Sequence, residues 1–253
     1  MNGVLPELTP QTPLLWLLIS IITGLLLFTG ADIIPASFRR HLQMVRWVLI
    51  PYLGLLSGGL SPQLMGLTYL NWFSIVEQNA ILILAILAAA LLIRITLEVN
   101  QRRIDTPGRH QDSIYALQVI DKSKQQKSTA PIHWAVLFLI FLQNGMLEFH
   151  LSFLRGALWE MLQHSALYQT LPHPFYWAIG LAALLFAIEN WLHPATGTQR
   201  ILALILIGGT SILFVYTVNY WLCAMVRGVA WWIMMPHRHY PDDEVYRFQV
   251  QYF

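Results

Sequence analysis

The stretch from Trp134 to Leu158, WAVLFLIFLQNGMLEFHLSFLRGAL, decides the fold class. It is apolar and long enough to cross a bilayer, whose hydrocarbon core takes about 20 residues of helix. Yet it holds Glu148 and Arg155. Asn144, Glu148, Leu151 and Arg155 follow one another at spacings of four, three and four, which places them on one helical face. A charge at the bilayer centre costs roughly 2.5–3.5 kcal/mol even on the lenient insertion scale. Such a face must be surrounded by protein, and Arg227, inside a later apolar stretch, makes the same demand.

Working outward, the chain reads as an all-α polytopic integral membrane protein. Of its 253 residues 56% are hydrophobic and 11% charged, against about 25% charged in a soluble globular protein. Seven spans are expected, near Leu14–Thr29, Trp47–Leu60, Asn79–Ile95, Trp134–Leu158, Phe175–His193, Ile201–Thr217 and Tyr220–Met235. The second is short and interrupted by Pro51, so it is expected to tilt or to continue as an interfacial helix through Leu64–Trp72. Its Gly54-x-x-x-Gly58 spacing permits close helix contact or marks a flexible span. The chain divides into a three-span region (1–97), a polar loop (98–131), a four-span core (132–235) and a tail (236–253). Within the loop, residues 114–120 have the pattern of a short surface helix.

Charge sets the expected orientation. Apart from Arg155 and Arg227, the thirteen Lys and Arg residues read as belonging to alternate connections: Arg39, Arg40 and Arg46, then the run from Arg94 to Lys127, then Arg200, then Arg238 and Arg247. The segments Ser61–Gln78 and Trp159–Pro174 have none. The positive-inside rule then gives a plasma-membrane protein with its N-terminus outside and its C-terminus cytoplasmic. No basic region precedes the first apolar run, so no cleaved signal peptide is expected. The net charge of +2 gives no support for nucleic-acid binding. The single Cys223 excludes an internal disulfide and a cysteine-based zinc site.

Polar residues gather in the C-terminal half. Glu148 and Arg155 are joined by Glu189, Asn190 and His193 of the fifth span and by Asn219 and Arg227 near the seventh. Spans four and five form an antiparallel pair, so these groups are expected at one depth. The expected network is Asn144, Glu148, Arg155, Glu189 and Arg227, with the partner of each arginine open. Because Glu148 and Arg155 stand about 10 Å apart in rise, only long side chains or water would join them.

Three motifs carry a resemblance. They are His150-Leu151-Ser152-Phe153-Leu154-Arg155-Gly156, then Leu184 to Asn190 around Leu185-Phe186, then Asn219-Tyr220-Trp221 leading to Arg227 and Trp231. This half resembles the CAAX-protease and bacteriocin-processing family, CPBP or Abi, of intramembrane metalloproteases. That family carries Glu-Glu-x-x-x-Arg, Phe-x-x-x-His and His-x-x-x-Asn/Asp. The resemblance covers roughly Ile132–Met235 and leaves out the first three spans. At the motif positions His150 and Leu151 replace the glutamate pair, Asn190 and Arg227 replace the histidines, Trp231 replaces the last Asn, and Arg155 remains. Metal binding and water activation need carboxylates and imidazoles. Leu151 supplies neither, and Arg227 repels a cation. The resemblance therefore implies a catalytically inactive member with no metal or other cofactor.

Other readings stay open. A zinc site shifted to Glu148 and His193 has two ligands, where catalytic zinc normally takes three. A small transporter would use the buried charges as a path, but no inverted repeat is evident. An accessory or structural subunit would contact membrane lipid and other membrane proteins. After the last span, His237, His239 and Asp242–Glu244 read as a solvated tail, and Tyr246, Phe248 and Val250 alternate as in a short strand.

Overall fold

The computed structural model describes residues 12–30, 34–68, 72–104, 134–192 and 197–234. These form nine helices and no strand among the described residues: α1 Pro13–Thr29, α2 Ala36–Leu56, α3 Trp72–Gln78, α4 Ala80–Ile104, α5 Trp134–Gln163, α6 Leu167–Thr170, α7 Pro174–Leu192, α8 Gly197–Thr217 and α9 Tyr220–Met234. The surface helix expected at 114–120, His193 and the tail lie outside the described residues.

Among the described residues, four helices are long and apolar enough to cross a membrane, over Ala80–Asn100, Leu137–Gln163, Pro174–Leu192 and Arg200–Thr217. They mark the chain as a membrane protein. Of the other expected spans, α1 is apolar but has 17 residues, α9 has 15, and α2 carries Arg39, Arg40 and Arg46. α4 shows what solvent the molecule is built for. Only 6% of its most apolar window is buried inside the protein, and Ile81, Leu84 and Leu92 point outward. In water such a surface would associate; in hydrocarbon it is at rest, because the helix satisfies its own backbone.

α5 is the axis. With 30 residues it is about 45 Å long at 1.5 Å per residue. It packs against α1, α2, α7 and α9, while α8 packs on α7 and α9, and α4 lies outside against α9 and α8. Between helices in lipid the hydrophobic effect gives little, so close packing of small residues matters more. A Cβ added at Gly228 of α9 would stand 2.6 Å from the Phe141 ring of α5. Gly156 likewise lets Met65 lie against α5, where a Cβ would meet Met65 Cγ at 3.0 Å.

The second expected span is corrected at both ends. Its helix begins at Ala36 and stops at Leu56, so Arg46 belongs to a helix and not to a connection. Gln43, Arg46 and Ile50 are buried on one face, at the three-to-four spacing that a helix requires. Residues 57–68 are turns, not an interfacial helix continuing from Leu64. Gly58 and Gly66 take positive φ of 72° and 75°, which favours glycine and turns the chain back. Met65 is thereby fully buried, and the Tyr220 amide donates to Gly66 O at 3.0 Å. Of the Gly54/Gly58 pair, only Gly54 makes a close contact, with Leu60.

The Lys/Arg-free connections meet at one end of the bundle. The Ser61 amide donates to Glu160 at 3.4 Å, and the 61–67 turn touches the α8–α9 corner at Val218. α4 continues to Ile104, past the expected start of the polar loop at Glu98.

Candidate functional site

α5 presents ionisable groups on two faces, because residues two apart in a helix point about 200° from one another. Glu148 looks toward α9 and α8. His150 looks toward α7 and the α1–α2 pair.

On the first face, one carboxylate holds two guanidiniums. Arg155 Nη1 donates to Glu148 Oε1 at 2.7 Å, and Arg227 Nη1 donates to Oε2 at 3.2 Å. Arg155 Nη2 donates to Ser211 Oγ at 3.0 Å. All three charged side chains are sealed, at 0% exposure for Glu148, 1% for Arg155 and 2% for Arg227. The group has two positive charges to one negative. Aromatic faces offset the excess: Arg155 lies 4.6 Å from the Phe214 ring centre and Arg227 5.7 Å from that of Phe186. No water is needed between Glu148 and Arg155, because both side chains extend along the face and span two turns directly.

On the second face, Glu189 holds the other two partners. Arg46 Nη2 donates to Glu189 Oε1, and Arg46 Nη1 to the Ser20 carbonyl at 3.0 Å. His150 Nε2 lies 3.0 Å from Glu189 Oε2. The ring of His150 is stacked near Phe153 and tilted against Phe186. α1 makes room for Arg46 through Gly24: a Cβ there would collide with the Arg46 guanidinium. Glu189 is 20% exposed, so this cluster is open at one side.

The expected network is thus divided. Glu148, Arg155 and Arg227 come together, with Glu148 serving both arginines. Glu189 belongs to the second cluster and takes Arg46, which sequence reading had assigned to a loop. Asn144 turns back to its own helix at Ile140 O, 2.9 Å, and Asn190 to Phe186 O, 2.7 Å. Asn219 is the cap of α9, its Oδ1 accepting from the Leu222 amide at 3.0 Å. Leu151 is fully buried in the apolar core. Trp231 packs with Ala90, Leu202 and Met234, away from Glu148. No group of three or more His, Cys, Asp or Glu with metal-holding geometry occurs among the described residues.

The residues that sequence reading missed are Arg46, Gly24, Ser211 and Phe214. Arg46 shares a helical face with Gln43 and Ile50, but only their burial marks that face as inward. Ser211 and Phe214 had no signal beyond sharing a span.

Fold and clusters together define an all-helical membrane protein with a charged interior. Comparison with family models, with curated proteins and with solved structures finds no match to this chain.

Proposed function

We propose that this chain is a degenerate CPBP-type membrane protein in which an ion-pair lock occupies the level of the peptidase motifs. It acts as a non-catalytic accessory or structural subunit that binds other membrane proteins. The observation that carries this reading is the state of Glu148. Both of its oxygens are taken by arginines within a fully buried site. A carboxylate so held is poorly placed to ligate a metal or to accept a proton from water. To recruit it with His193 for zinc, the protein would have to strip two guanidiniums from it inside the membrane.

Seven spans, an outside N-terminus and a cytoplasmic C-terminus belong to the same proposal. The meeting of the Lys/Arg-free connections at one end of the bundle supports it. An apolar groove of about 500 Å³ between α2, α5 and α9 offers a surface for a partner helix. Gly145 and Ala224 keep part of its lining low, and Phe141, Phe149, Trp221 and Met225 supply bulk.

Purification in gentle detergent, followed by mass spectrometry and elemental analysis, tests the proposal. Companion membrane proteins at fixed stoichiometry, without stoichiometric zinc, are expected. A solitary chain with one zinc, lost in Glu148→Ala, overturns it.

A further inference from the structure

Residues 57–68 cross the end of the bundle where the Lys/Arg-free connections meet. They form a strap with two apolar anchors, Leu60 at 3% exposure and Met65 at 0%. Met65 seats on α5 at Gly156, the residue after Arg155. Gly66 seats on the α8–α9 corner. A Cβ there would stand 3.0 Å from the Phe214 ring and 2.6 Å from the Val218 carbonyl oxygen. The Phe214 ring in turn faces the Arg155 guanidinium at 4.6 Å. The strap thus rests on two residues that adjoin Arg155. The Tyr220 amide donates to Gly66 O at 3.0 Å. Two other ties are long, at 3.4 Å each: the Ser61 amide to Glu160, and Trp221 Nε1 to Leu67 O.

Beneath the strap, the chain passes from α8 to α9 through Val218 and Asn219 alone. Val218 takes a φ of 43°. That left-handed position at a helix C-terminus is the usual place of glycine, and a β-branched side chain is strained in it. Such strain persists only where the surroundings hold it, and it gathers at segments that switch. Here the strap lies against it. Gly66 touches the Val218 carbonyl and accepts from the amide two residues on.

We propose that residues 57–68 are a releasable strap over the Glu148–Arg155–Arg227 cluster, sprung by the strained corner at Val218. Closed, Gly66 pins the corner and the cluster is sealed. Lifted, Val218 leaves the left-handed region, the first turn of α9 loses its tie to Gly66, and water reaches Phe214 and the core beside it. This action stands whether or not the chain serves as an accessory subunit.

Cys223 reports the motion. It is the single cysteine of the chain, is fully buried and packs in one cluster with Phe214. The full chain in nanodiscs is treated with methyl methanethiosulfonate, a small neutral thiol reagent, and modification is followed by intact mass. Slow modification of the folded wild type is expected. Gly66→Ala sets a Cβ against the Val218 carbonyl at a φ of 75° and should speed modification about tenfold. Val218→Gly removes the strain from the closed strap. It should slow modification about threefold, net of the freedom that glycine gains when the strap lifts. Gly24→Ala disturbs the other face of α5, at Arg46, and should leave the rate unchanged. Should Gly66→Ala fail to fold, Val218→Gly and Gly24→Ala decide. An unchanged or faster rate in Val218→Gly overturns the proposal, because the strain then plays no part in opening. So does acceleration by Gly24→Ala, which marks modification through global unfolding. A folded Gly66→Ala with the wild-type rate, or a Cys223 that stays inert in the wild type, overturns it as well.

Discussion

On the Glu148 side of α5, no charged group is more than 2% exposed. On the His150 side, Glu189 is 20% exposed and borders a crevice. The sealed cluster carries an excess positive charge, held by one carboxylate, one serine hydroxyl and two aromatic faces. The open cluster is balanced, one arginine to one glutamate, with the imidazole added. The difference teaches how a membrane chain distributes its charges. Where every group is interior, the partners must all be supplied by protein, and removing the shared one strands the others. Where one edge is open, a partner can be lost at lower cost.

The largest expected effect follows from the sharing. Glu148→Gln leaves Arg155 and Arg227 facing each other with no anion between them. Breaking an ordinary buried pair costs roughly 3–5 kcal/mol, and here two cations are stranded. The unfolding midpoint in gentle detergent should fall further than for any other single change in either cluster. An equal fall for Arg46→Met would erase the distinction between the two sides.

Arg46→Met comes next. Glu189 keeps His150 and its partial exposure, so the loss is expected to be that of a charged hydrogen bond, about 1.5–3 kcal/mol. Gly24→Ala should be smaller, about 1 kcal/mol. Its Cβ displaces the end of a flexible arginine and does not remove it. In an Arg46→Met background the Gly24→Ala change should be nearly neutral, since coupling arises from the shared contact. Midpoints of the four proteins in this cycle measure the coupling. Strict additivity would show that Gly24 does not act through Arg46.

Much of the fold was legible because apolar runs in lipid are long and plain. The spans at Trp134–Leu158, Phe175–His193 and Ile201–Thr217 correspond to α5, α7 and α8 within a few residues at most ends. The common face of Glu148 and Arg155 was legible from spacing alone. What the sequence hid was α2. Three arginines in its first half disguise a helix as a topogenic loop, and only burial reveals that Arg46 points inward. Partner choice was equally hidden. Two acids and two known arginines suggested two pairs, whereas the rotation of α5 turns Glu148 and His150 to different neighbours. Periodicity tells which residues share a face, but not which helix stands opposite. The turn at 57–68 escaped because its glycines signal a bend without saying where the chain returns.

The central claim is that Glu148 serves as a lock for two arginines. The most direct measurement compares the thermal unfolding of the wild type, E148Q and the triple variant E148Q/R155M/R227M in the same detergent. Replacing a whole buried ionic group with apolar residues of similar size is often neutral or stabilising. E148Q should show a sharp fall, and the triple variant should recover most of it. Wild-type stability in E148Q, or a triple variant as unstable as the single, would contradict it.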